Sequence, residues 1–132
     1  MNIVIKNVNE LPYIATYEKE ELTLDDMQSL VGGYIECVAV TDKIDMWVNE
    51  EGKLYSLPLN FFVDNGSWTV DGICGDVFFA SHDDEGNVVG LTADEEYKVT
   101  DMLMKRYTFG YCEAKDGCIA YPTMEIGGDA VD

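Results

Sequence analysis

The residues with the clearest chemical potential in this chain are carboxylates that fall in close groups. One group lies in a polar turn and a second opens a helix-like segment; the members are Asp83, Asp84, Glu85, Asp94, Glu95, Glu96 and Asp101. A turn followed directly by a helix would display them as one acidic ridge. B-DNA carries one charge per ~1.7 Å of axis, so such a ridge predicts an acidic face that contacts a basic protein surface, as a nucleic-acid mimic does.

Other chemistries have weaker support in the sequence. The chain has no Gly-x-Ser-x-Gly, Gly-x-x-x-x-Gly-Lys-Ser/Thr or Gly-x-Gly-x-x-Gly motif, so we expect no enzyme and no cofactor. The only histidine, His82, is interpreted as a solvated turn residue rather than a zinc ligand. The segment 83–87 lacks the spacing of an EF-hand loop, which leaves only weak Ca²⁺ binding open there.

The net charge of the chain indicates which kinds of partner to expect. The 132 residues carry a net charge of -18, with -7 in residues 1–60 and -11 in residues 61–132. The chain has a single arginine, so neither nucleic acid nor an anionic membrane is expected as a direct partner. No apolar run approaches ~20 residues and no secretory signal is recognisable, which predicts a cytoplasmic protein with reduced thiols. A high like charge also keeps a small protein soluble, so solubility remains the competing explanation of the acidity.

Two helices are predicted from their capping signals. Thr23 and Asp26 form a capping-box pattern before a helix that Gly32 and Gly33 end. A second capping box, 92–95, opens a helix that runs to about residue 107. Its buried stripe is either Val99, Leu103 and Tyr107 or Tyr97, Thr100 and Met104.

The remaining segments predict strands. They are 2–6, 12–17, 34–40, 44–48, 53–57, 73–81 and 88–91, with turns at 49–52, 65–66, 71–72 and 82–87, and a break at Pro58. Residues 107–111 and 119–126 predict a terminal hairpin around a Lys-Asp-Gly turn. We expect this hairpin to join the sheet edge or to pair with a second copy of the chain, which allows a homodimer. Cys112 and Cys118 flank its turn, which leaves a disulfide or half a metal site open; we expect no metal centre.

These elements predict an α+β fold. We expect a mostly antiparallel sheet with two helices packed on one face and the hairpin as a C-terminal extension. The predicted domain spans residues 1–126, and residues 127–132 are expected to fray.

Four ordered motifs, at residues 30–36, 48–54, 57–60 and 73–77, resemble the family catalogued as domain of unknown function 3846. The resemblance covers roughly residues 22–106. It implies an accessory role in phages or mobile elements of Gram-positive bacteria and supplies no catalytic residues. The motif residues singled out are Gly32, Gly33, Tyr34, Glu36, Asn49, Glu51, Gly52, Pro58 and Asn60. The glycines and the proline fit turns and breaks, whereas Glu36, Asn49 and Asn60 are polar residues beside apolar strands and need specific partners.

Three hypotheses about function follow. The leading one is a non-catalytic acidic protein of a phage or mobile element that binds a basic protein through its acidic face. Its narrower form is a nucleic-acid mimic that blocks a basic host defence or DNA-binding protein. The second is a protein that sequesters a small ligand by ring stacking on Tyr34, Trp47, Tyr55 and Trp68. The third is a structural module of a larger assembly.

Overall fold

The protein is described here by a computed structural model, which covers residues 1–66 and 69–126. The two helices are α1 (Leu24–Val31) and α2 (Ala93–Lys105). The strands are β1 (Asn2–Lys6), β2 (Tyr13–Thr16), β3 (Ile35–Ala39), β4 (Ile44–Asn49), β5 (Leu59–Asp64), β6 (Thr69–Cys74), β7 (Val77–His82), β8 (Val88–Val89), β9 (Tyr107–Cys112) and β10 (Gly117–Glu125). The predicted tail, residues 127–132, lies outside the described residues.

The strands form two sheets rather than one. The first has the order β2-β1-β7-β4-β3, with β8 paired to the end of β7, and all its pairings are antiparallel. The second has the order β6-β5-β10-β9, and its β5–β10 pairing is parallel. The α+β class with mostly antiparallel strands and two helices is confirmed.

The helices cover opposite faces of the first sheet, not one face as predicted. On one face, Met27 and Val31 of α1 join a buried cluster with the alternate residues Ile3 and Phe78. On the other face, Val99 and Leu103 of α2 join a cluster that includes residues of both sheets: Val4, Met46, Phe61, Val63, Phe79 and Met124. Successive side chains of a strand point to opposite faces, so an apolar run such as 77–80 serves both clusters.

Both helices begin where the sequence predicts. The Thr23 hydroxyl accepts from the Asp26 amide, the Asp26 carboxylate accepts from the Thr23 amide, and Thr92 and Glu95 repeat the arrangement. Gly32 ends α1 in the left-handed region at φ 77. The stripe through Val99 and Leu103 is the buried one. The helix stops at Lys105, however, so Tyr107 belongs to β9 and is exposed.

Two strand predictions in the middle of the chain are wrong. Residues 53–57 are not a strand, because the chain turns at Gly52, whose amide bonds to the Asn49 carbonyl, and the Leu57 amide bonds back to the Gly52 carbonyl. The expected strand 73–81 is divided at Gly75, which has φ 86 and donates to the Pro58 carbonyl. The turn expected at residues 71–72 lies inside β6, paired with β5.

The C-terminal hairpin is confirmed, and it docks on its own chain. Residues 107–112 pair with residues 117–122, and Asp116 provides the left-handed residue of the turn at φ 48. The end of β10 pairs with β5, and Met124 enters the core between the sheets. Strand β9 is therefore an edge of the second sheet, and Tyr107, Phe109 and Tyr111 are 51, 77 and 58% exposed along it.

Candidate functional site

The first acidic group lies in the turn between β7 and β8, and its members differ in role. The Asp83 carboxylate accepts hydrogen bonds from the Asn87 side chain and from the Asn87 and Glu85 amides. These hydrogen bonds lower the pKa of Asp83, and the one from the Asn87 side chain has the largest effect. Asp84 and Glu85 are exposed, and Lys43 approaches Asp84 only to 3.8 Å. Asp83 thus shapes the turn, whereas Asp84 and Glu85 present charge to solvent.

The second acidic group occupies the first turn of α2. Asp94 is exposed, Glu95 completes the capping box, and Glu96 accepts from the Asn2 side-chain amide at 3.3 Å. Asp101 lies two turns further along the helix and is 4.0 Å from the Lys105 ammonium. Carboxylates in a first helical turn interact favourably with the helix dipole, which suits the three acids to this position.

The two acidic groups flank the short strand β8, since the turn precedes it and α2 begins four residues after it. A third acidic segment, missed in the sequence, joins them. The Leu22 amide bonds to the Val88 carbonyl, and Glu21 forms a bridge with Val89. This places the exposed Glu18, Glu20 and Glu21 beside β8. The pairing spans 67 residues of sequence or more, so only the fold reveals it.

Five of the nine motif residues line a single cavity of about 250 Å³ at the end of α1: Gly32, Gly33, Tyr34, Asn49 and Glu51. Asn49 organises it, because its Nδ2 donates to the Val31 carbonyl and its Oδ1 accepts from the Glu51 amide. A Cβ on Gly33 would lie 2.8 Å from Asn49 Nδ2. Asn49 and Gly33 therefore connect the end of α1 to the end of β4.

The remaining motif residues lie elsewhere. Glu36 and Gly52 line a neighbouring cavity of about 160 Å³, and a Cβ on Gly52 would lie 2.8 Å from the Cys74 carbonyl oxygen. Pro58 supplies the carbonyl that Gly75 bonds, at the start of the second sheet. Asn60 is buried and bonds to Lys6. Asn49 and Asn60 thus have the partners that their positions required, and those partners are largely structural.

The three described aromatic residues of the ring-stacking hypothesis, Tyr34, Trp47 and Tyr55, do not converge. Tyr34 and Tyr55 line the cavity beside α1 and are more than 60% exposed. The Glu51 carboxylate accepts a hydrogen bond from the Tyr55 hydroxyl, and this hydrogen bond raises the pKa of Tyr55. Trp47 instead stacks on Phe78, with ring centroids 6.4 Å apart. Trp68 lies outside the described residues.

His82 differs from its prediction as a solvated turn residue. It is the last residue of β7, and its Nδ1 lies 2.6 Å from Oδ2 of the buried Asp45 on β4. Asp45 also accepts from the Cys37 thiol, whose pKa is raised to about 11 by partial burial and by the Asp45 charge. The sulfur is thus held as a neutral thiol against the carboxylate rather than activated by the imidazole, since a thiolate is the nucleophilic form.

The other groups considered for metal or membrane binding are placed as follows. Cys112 is buried opposite Gly117, Cys118 is exposed opposite Tyr111, and both are free thiols. Within residues 1–66 and 69–126, no group of three or more His, Cys, Asp or Glu side chains is arranged to hold a metal ion. None of the helices in the described part of the chain is long and apolar enough to span a bilayer.

Comparison with known proteins decides the family. The model of the family described as Domain of unknown function (DUF3846) matches residues 1–105, which is most of the chain. The chain belongs to this family. The DUF3846 region begins at β1, about twenty residues earlier than the motifs suggest, and it ends with α2, so the β9–β10 hairpin is an addition to it. No curated protein and no solved structure matches the chain.

Proposed function

We propose that this DUF3846 protein is a non-catalytic binding protein whose acidic face contacts a protein partner with a basic surface. The acidic face comprises the turn before β8, the first turn of α2 and Asp101, with the predicted residues Asp83, Asp84, Glu85, Asp94, Glu95, Glu96 and Asp101. The observation that supports it is the convergence on β8: segments 83–85 and 94–96 flank that strand, and Glu21 and Leu22 pair with it. Seven of the 26 acids belong to the predicted face alone.

The spacing of the charges bears on mimicry of nucleic acid. From Asp94 to Asp101 the helix rises about 10 Å, at ~1.5 Å per residue. It carries four carboxylates and Lys98 over this distance. The same length of B-DNA carries about six phosphates, so the helix reaches about half of the DNA charge density. Nucleic-acid mimicry, with an anti-defence role in a phage or mobile element, is the narrower form of the proposal, because a mimic must also match groove spacing.

The proposal is tested with two basic probes, a nonspecific endonuclease and a histone-like DNA-binding protein. We expect calorimetric titration to show binding that weakens at least about tenfold between ~0.1 and ~0.5 M salt, since the Debye length falls over this range. A triple variant, Asp84→Asn, Glu85→Gln and Asp94→Asn, removes exposed charges that are not needed for capping. It should weaken binding by a further factor of about ten.

A charge-matched control removes three exposed acids away from the acidic face: Glu36→Gln, Glu50→Gln and Glu113→Gln. Equal weakening by both triples would show that net charge alone is responsible, and absence of binding to both probes would refute the proposal. Competition with a labelled DNA duplex tests the narrower form. Displacement of the duplex supports mimicry, and formation of a ternary complex excludes it.

A second candidate function, binding of a small ring-bearing ligand, rests on the cavity between Tyr34 and Tyr55. Tryptophan and tyrosine faces stack on rings at centroid distances of ~4.5–7 Å. Indole and adenosine are suitable probes, and a Tyr34→Ala, Tyr55→Ala double variant should abolish any chemical-shift change that they cause. Acidic-face variants should leave such binding unchanged, which separates the two candidates.

A further inference from the structure

Lys6, the last residue of β1, is a buried lysine with an incomplete set of partners. It is 2% exposed, and its Nζ donates to the Asn7 carbonyl at 2.9 Å and to Asn60 Oδ1 at 2.8 Å. An ammonium group has three N–H donors. Among residues 1–66 and 69–126, no side chain or carbonyl accepts the third and no carboxylate forms an ion pair with Lys6. A buried charged donor that no protein group accepts depends on solvent or a ligand for its acceptor, so a ligand acceptor here would complete the set.

Lys6 and Asn60 form part of the wall of a cavity of about 250 Å³. The rest of the wall comes from three separate elements, the β1–β2 loop, α2 and the β9–β10 hairpin, and its apolar part is formed by Leu11, Pro12, Leu103, Tyr107, Ile119 and Tyr121. At ~30 Å³ per water the cavity holds about eight waters, which corresponds to a ligand of roughly eight to ten non-hydrogen atoms. An apolar surface with a few polar groups beside it is typical of small-molecule sites.

The charges around this cavity favour an anionic group at Lys6. Lys115 also lines the wall, and Glu10 is the single acid there. Burial lowers the pKa of Lys6 to about 8, against the opposing effect of the Glu10 and Asp76 charges. The amine is therefore mainly protonated at pH 7 but poorly solvated, and a carboxylate beside it would regain the solvation that burial removes.

We propose that this cavity binds a small carboxylic acid with an apolar body, the carboxylate accepting the third N–H of Lys6 and the apolar body packing against the hairpin. The site is separate from the acidic face and does not depend on the function proposed for it. The β9–β10 hairpin lies beyond the family match, so the site combines residues inside the matched region with residues outside it.

The probes are benzoate and hexanoate, with benzamide and hexanamide as uncharged isosteres, titrated into the full chain and followed by ¹H–¹⁵N NMR. We expect the carboxylates to shift the backbone N–H signals of residues 6, 60 and 119–121, and each uncharged isostere to bind at least about tenfold more weakly. No shift of these signals up to about 10 mM carboxylate, a ΔG° of roughly -2.7 kcal/mol, would overturn the proposal, as would equal binding of the amides.

The pH dependence identifies Lys6 without a mutation. A bound carboxylate raises the pKa of Lys6, so affinity is highest below the free value of about 8 and falls about tenfold per pH unit above it. Ordinary lysines titrate near 10.4, so constant affinity between pH 7 and about 9.5 would refute a contact with Lys6.

Two variants complete the test. Lys6→Met should abolish carboxylate binding, but it also removes a hydrogen bond to Asn60 and its fold must be checked. Ile119→Trp fills the cavity from the half-buried hairpin position and leaves Lys6 in place. It should abolish binding as well, and retained affinity in a folded Ile119→Trp protein would show that the ligand binds elsewhere.

Discussion

Replacing Asn60 with leucine tests the polar junction between the two sheets. Asn60 is 1% exposed and makes three hydrogen bonds. Its Oδ1 accepts from Lys6 Nζ, and its Nδ2 donates to the Lys6 and Gly75 carbonyls, all at 2.8 Å. The junction thus joins β1 of the first sheet, β5 of the second, and the turn at which the chain passes from β6 to β7. Asn60→Leu keeps the number and branching of the side-chain heavy atoms and removes all three hydrogen bonds.

The free energy of unfolding that Asn60→Leu removes follows from the polar groups that it leaves without partners. Each buried polar group that loses its partner costs about 1–3 kcal/mol, and three are affected. Water can reach some of them through the adjacent cavity. The expected loss is therefore about 3–5 kcal/mol, a large part of the ~5–15 kcal/mol by which a domain is stable.

The assay is urea unfolding at 25 °C and pH 7, followed by far-UV circular dichroism. At this chain length the loss corresponds to a decrease in Tm of roughly 10–20 °C. Asn7→Ala is the control, because among the described residues the Asn7 side chain bonds only to Glu10, at the surface, and its loss should change stability by less than about 0.5 kcal/mol. A loss under about 1 kcal/mol for Asn60→Leu would refute the conclusion that this network holds the sheets together.

Three further predictions follow from other features. Gly52→Ala should destabilise the protein by about 1–3 kcal/mol, because the added Cβ would lie 2.8 Å from the Cys74 carbonyl oxygen. Gly117→Ala is the control in the same urea assay and should be almost neutral, because the atom nearest to its added Cβ is 3.8 Å away. The Arg106 side chain lowers the pKa of the buried Asp64 carboxyl, so this pair stabilises the fold above about pH 4 and the contribution is lost as pH falls below it. Asp64→Asn should therefore flatten the acid side of a plot of unfolding free energy against pH, and an unchanged acid side would contradict this prediction. The edge strand β9 carries three exposed aromatic side chains, and residues 105–126 around it have no net charge. Sedimentation should therefore detect dimers at about 100 µM, which Phe109→Lys should abolish and the control Tyr97→Lys on α2 should not. A monomer at that concentration would exclude a homodimer through this edge.

The predicted features that the structure confirms are those set by residues close in sequence. A capping box needs only a hydroxyl and a carboxylate three positions apart, so Thr23 with Asp26 and Thr92 with Glu95 located both helix starts. The hairpin at residues 107–122 likewise depends on a local turn and alternating strands. The α+β class follows from such elements, and the chain's charge follows from composition alone.

The features that the sequence did not reveal depend on contacts between distant residues. Nothing near Gly75 shows that the strand through it is divided between two sheets, since the division depends on the Pro58 carbonyl 17 residues earlier. His82 meets Asp45 across 37 residues, and Asn60 meets Lys6 across 54. The parallel pairing of β10 with β5 is the longest of these associations, and β10 also supplies Ile119 and Tyr121 to the wall of the cavity at Lys6. Chain entropy opposes each such contact, and only the joint burial of both sheets and α2 makes them favourable together, which is why the tertiary structure alone decided them.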